Sequence, residues 1–99
     1  MEQDHRVYIV LVSFDVLIDG AQSLKVKRGV INRIKDRIRS RFNASVAEIG
    51  YLDKWQRAAM GVTLISNEKR KLQKDVDLIH AMLAAFTDMV ISNFTVEWL

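Results

Sequence analysis

A chain of 99 residues with 49% apolar side chains is enough for one domain, and folding at this size hides roughly 60–70% of the surface an unfolded chain exposes. The absence of cysteine excludes disulfides, thiolate chemistry and cysteine metal sites, and it fits a reducing cytoplasm. The net charge of +3 is mild, so any electrostatic role must come from how the charges are distributed.

The chain is expected to form a single domain over 1–99, with its polar start, residues 1–5, loose. The apolar run 7–18 is broken by Ser13 and Asp15, too short for a bilayer, and followed by no Ala-x-Ala cleavage pattern. Its β-branched and aromatic residues predict a strand over 6–18, buried on both faces. Asp19-Gly20 ends that strand, and Ser23 is placed to cap a helix. Leu24, Ile31, Ile34, Ile38 and Phe42 form the apolar face of this first helix, and Asn43 is expected to close it in left-handed backbone.

A second strand follows over 44–51, a polar turn over 52–56 and a third strand over 57–66. Ser66 or Asn67 then caps a second helix with the stripe Leu72, Val76, Ile79, Leu83 and Phe86. In a fourth strand, 90–98, Phe94, Val96 and Trp98 alternate with Thr95 and Glu97. The order β-α-β-β-α-β and the right-handed crossover rule predict an α+β ferredoxin-like sandwich, four antiparallel strands with both helices on one face.

The distribution of charge is uneven. Between Ser23 and Phe42 eight Lys and Arg face one acid, Asp36, a local charge of +7 that leaves −4 for everything else. The topology puts the 52–56 turn at the same end as the start of the first helix. An upper cluster of Lys25, Lys27, Arg28, Lys54 and Arg57, with Trp55 among them, is therefore expected there. A lower cluster gathers Arg37, Arg39, Arg41, Lys69, Arg70, Lys71 and Lys74. Backbone N–H groups at a helix start welcome anions, although Asp19 and Asp53 are close enough in the topology to pair with the upper cations. Arg33, Arg37 and Arg41, four residues apart, line one flank, where Glu68, Asp75 and Asp77 of the second helix are candidate partners.

Several stretches resemble the YlxP-like family, small bacterial proteins of uncharacterised function. They are Ser-Leu-Lys-Val-Lys-Arg (23–28), Phe-Asn-Ala-Ser-Val-Ala-Glu (42–48), Asp-x-Trp-Gln-Arg-Ala (53–58) and the closing Val-Glu-Trp-Leu. The resemblance runs from about Val7 to the C-terminus. It implies a ferredoxin-like fold and suggests a link to translation, because family genes often sit beside those for initiation and ribosome maturation. It supplies no catalytic residues.

Other chemistries find little support. His5 and His80 lack a readable nucleophile or carboxylate companion, and no metal-ligand cluster or long phosphate loop is visible. The 19–24 loop lacks the glycine-and-arginine pattern of acylphosphatases, which share this topology. The third strand carries no aromatic, so base reading on the open sheet face, as in RNA-recognition modules, is excluded. On the first strand Val7, Ile9 and Leu11 oppose Tyr8, Val10, Val12 and Phe14, and the helices can cover only one set. A second copy of the chain is expected over the other, as a homodimer or higher homo-oligomer.

The expectation is a non-enzymatic cytoplasmic module without cofactor, metal or membrane contact. It binds RNA or the ribosome through Lys25, Lys27, Arg28, Arg33, Arg37, Arg41 and Arg57. Trp55 is a stacking or interface residue, with contact or packing favoured. The alternative is a homo-oligomeric interaction module whose basic helix meets an acidic protein surface.

Overall fold

The computed structural model describes residues 5–99, so apart from His5 the stretch expected to be loose lies outside the described residues. The elements are β1 (Tyr8–Leu17), α1 (Leu24–Arg41), β2 (Ala44–Gly50), β3 (Arg57–Ser66), α2 (Lys69–Ala84) and β4 (Val90–Trp98). The strands pair antiparallel in one sheet of order β2-β3-β1-β4, so β1 and β3 are central while β2 and β4 are edges. Each helix connects two strands that have a third inserted between them, which is the ferredoxin-like α+β arrangement.

Strand periodicity decides which side is core. Val10, Val12, Phe14 and Val16 of β1 are buried with Ala58, Met60, Val62 and Leu64 of β3. Ile31, Ile34 and Ile38 of α1 and Leu72, Val76, Ile79 and Leu83 of α2 close over them in one cluster. The expectation of a first strand buried on both faces is corrected. The helices cover one face only, which leaves Ile9, Leu11, Ser13 and Asp15 half-buried and Val7 and Leu17 exposed.

The helix ends need three corrections. Ser23 does cap α1, its Oγ accepting from the Val26 N–H at 3.1 Å, but Leu24 is exposed and contributes little to the apolar face. Phe42 closes α1 in extended backbone at φ −132°, and Asn43 is not left-handed. Glu68 occupies the N-cap of α2 without a side-chain bond, while Ser66 Oγ accepts from the Glu68 N–H at 3.1 Å in a tight turn just before the helix.

Two bulges shape the open face. β2 carries an extra residue at Ile49, which packs over Gly61, where an added Cβ would come within 3.3 Å of the Ile49 side chain. The β1–β4 register shifts between Ser13 and Asp15. There Asn93 adopts left-handed backbone (φ 53°), and its Nδ2 donates to Asp15 Oδ2 at 2.8 Å.

Candidate nucleic-acid interface

The register of α1 sorts its cations into three groups. Lys27, Ile31, Ile34 and Ile38 are spaced by four, three and four, so Lys27 sits on the core-facing stripe. It is 2% exposed. On β2, Glu48 has the same parity as buried Val46 and points under the helices. The two charges meet, Lys27 Nζ lying 2.8 Å from Glu48 Oε2 and donating to the Tyr51 carbonyl at 2.7 Å. Glu48 Oε2 is buried and accepts no well-aligned hydrogen bond, so the link between the side chains is Coulombic. Lys27 is therefore withdrawn from the set of phosphate contacts: its amine is enclosed and already committed. Neither Asp19 nor Asp53, the partners expected at this end, forms an ion pair among the described residues.

The second group faces α2. Arg33 and Arg37 are exposed, and their guanidinium carbons lie 5.5 and 5.3 Å from the centroid of Phe86, just past the end of α2. Residues of both helices and the following turn line a groove of about 390 Å³ here, Met82, Thr87 and Asp88 among them. Arg33 pairs with Asp88, and this hydrogen bond is the main reason the Asp88 carboxyl titrates below its ordinary value of 3.8. Of the three acids expected to neutralise this flank, Glu68 forms no ion pair among the described residues and the other two are engaged within α2. Asp75 pairs with Lys71 at 2.9 Å, and Asp77 accepts from Gln73 at 3.3 Å.

The remaining cations point outward. Lys25, Arg28, Arg39 and Arg41 are exposed and Lys35 is half-buried. Arg39 also reaches the edge strand β2, donating to the Val46 carbonyl at 3.1 Å. Six α1 cations (Lys25, Arg28, Lys35, Arg37, Arg39, Arg41) thus have no carboxylate within bridging distance among the described residues. At the lower end Lys69, Arg70 and Lys74 of α2 are exposed, Lys69 Nζ resting 4.9 Å from the Trp98 ring centroid.

The upper end is built on the 51–57 hairpin. Tyr51 is left-handed at φ 58°, and its carbonyl is held by Lys27 and by the Lys54 N–H at 3.0 Å. Ile18 N–H donates to the Gln56 carbonyl at 2.9 Å, and Gln56 Nε2 donates to the Ala21 carbonyl at 3.3 Å, so the tip is tied to the connection before α1. The Arg57 guanidinium lies 4.1 Å from the Tyr51 ring centroid, donates to its hydroxyl at 3.1 Å and sits 3.9 Å from Asp15. Trp55 is 51% exposed and does not fold back onto the sheet.

His80 is exposed and stacks on Phe94 with centroids 4.0 Å apart, and among the described residues no three His, Asp or Glu gather as a metal would require. No helix among the described residues is long and apolar enough to cross a membrane.

Residues 9–96 match the family model described as protein of unknown function (DUF503). The chain is also similar to the uncharacterized protein YlxP of Bacillus subtilis (strain 168), with 34% identity over 84 residues, which is 85% of this chain and 91% of that protein.

Proposed function

For a chain that belongs to the DUF503 family, the YlxP-like proteins, whose own geometry must supply the function, we propose a non-enzymatic module that binds RNA, free or within the ribosome, through phosphates. One observation carries this reading. Six cations of a single helix stand without a carboxylate among the described residues, while the rest of the chain is net acidic. Contacts of this kind neutralise the backbone and position the protein without reading bases. Lys25, Arg28, Arg37 and Arg41 are the principal contacts. Arg33, engaged with Asp88, and Arg57, engaged with Tyr51 and Asp15, are secondary. The translation link that the family resemblance implies accords with this, as does a cytoplasmic setting. Fluorescence anisotropy of a labelled single-stranded RNA at low salt tests it. Submicromolar to micromolar binding that is lost on charge reversal along α1 is the expected result. No measurable affinity refutes it and leaves an acidic protein surface as the target of the helix.

A second reading, compatible with the first, is favoured by the open sheet face. Ile9 and Ile65 are direct cross-strand neighbours there, Ile49 packs beside Leu11 over Gly61, and Val7, Ile49 and Ile65 are each more than half exposed. A homodimer formed by two copies of this face would bury them in an isologous contact. Static light scattering at micromolar concentration decides between the dimeric mass and a monomer.

A further inference from the structure

We propose that the cleft at the 51–57 hairpin is a nucleobase site for single-stranded RNA, with Trp55 as the stacking platform and Lys54 and Arg57 as flanking phosphate partners. This rests on the RNA reading above and adds a specificity that the helix surface lacks. The cleft, about 460 Å³, is lined by residues 51 and 53–57, and its size falls within the range of small-ligand sites.

Three observations favour a base. Trp55 is half exposed on a loop that cannot easily collapse, because four hydrogen bonds tie that loop to itself, to α1 and to the β1–α1 connection. An indole held out on a rigid support loses little entropy when a planar ring stacks on it. Two cations, Lys54 and Arg57, line the cleft with one acid, Asp53, and Arg57, 3.9 Å from Asp15, is already oriented by the Tyr51 ring and hydroxyl. An aromatic face beside oriented cations is the chemistry of a base with its phosphate. Finally, the bonds from Ile18 and to Ala21 place the cleft beside the start of α1, so a strand crossing Lys25 and Arg28 continues directly into it.

A protein occupant fits less well. Interface tryptophans act within surrounds that exclude water, whereas Asp53, Lys54, Gln56 and Arg57 are all exposed. A duplex cannot present an unstacked base face, so the site should discriminate against one.

In a Trp98→Phe background Trp55 is the only tryptophan and reports on the cleft directly. Titration with a short oligouridylate is expected to quench its emission, and an RNA duplex of equal phosphate count is not. Trp55→Ala should weaken oligouridylate binding about tenfold, in line with the loss of one stacking aromatic. Duplex binding and thermal melting should stay unchanged, and Trp55→Phe should retain most of the single-strand affinity. If Trp55→Ala binds both RNAs like the wild type while charge reversal on α1 abolishes binding, the base site is wrong and the phosphate reading stands. If the unaltered protein binds neither RNA, both fail. If Trp55→Ala instead changes the mass seen by light scattering, the hairpin is a subunit contact and the proposal is overturned.

Discussion

Removing the Lys27 amine is expected to lower the melting temperature sharply while leaving RNA affinity nearly unchanged. The side chain is 2% exposed, whereas Glu48, its partner at 2.8 Å, retains 20% of its side-chain surface. Breaking a buried pair by deleting one charge costs about 3–5 kcal/mol, and the partial exposure of the Glu48 side chain puts this pair at the low end, about 3 kcal/mol. At roughly 4–8 °C per kcal/mol for a domain of this size, Lys27→Met should melt about 12–24 °C below the wild type. The Tyr51 carbonyl still accepts from the Lys54 N–H at 3.0 Å, so the stranded carboxylate dominates the loss. The double variant Lys27→Met/Glu48→Leu should therefore recover most of the stability, since an apolar pair is often as stable as a buried ionic one. Arg28→Met, one residue along and exposed, should melt within about 3 °C of the wild type. Circular dichroism melts of the four proteins, with RNA anisotropy on each, make the comparison. The reasoning fails if Lys27→Met melts like Arg28→Met and weakens RNA binding to the same degree.

Arg28→Glu combined with Arg37→Glu and Arg41→Glu should abolish RNA binding at moderate salt without shifting the melt, as read by anisotropy and circular dichroism together. Asp88→Asn frees Arg33 for a phosphate, so affinity should rise and the salt slope should steepen by about 0.7, the value of one added single-strand phosphate contact. With its carboxyl lowered by Arg33, Asp88 keeps the pair above pH 3.8 and loses it as pH falls through its depressed folded value, and an NMR midpoint at or above 3.8 contradicts the pairing. On the open face, Ile65→Asp should convert a dimer into a monomer by light scattering with little loss of stability, Ile65 being 57% exposed.

The fold was legible because its signals are local and repetitive. The polar 52–56 turn and the helix cap expected at Ser66 or Asn67 bracketed β3 at 57–66, where the structure has it, and Ser23 marked the start of α1 through the chemistry of its hydroxyl. Lys27 was misplaced because a lysine in a basic helix reads as solvated, yet two signals pointed inward. It fills the empty turn between Leu24 and Ile31 on the apolar stripe, and Glu48 has the inward parity of Val46 on the strand beside it. The bulges at Ile49 and near Asn93 left no such trace, since one extra residue breaks the period that strand reading depends on. The Phe86 contact with Arg33 and Arg37 was hidden for another reason. Phe86 continues the α2 stripe numerically but lies beyond the helix end, so its direction is set by the turn.

The salt dependence of single-stranded RNA binding tests the claim of phosphate contact most directly. With Lys25, Arg28, Arg37 and Arg41 each meeting a phosphate, a plot of log affinity against log salt concentration should be linear with a slope near −3. A slope near zero, or no binding at the lowest salt, contradicts recognition through the helix cations.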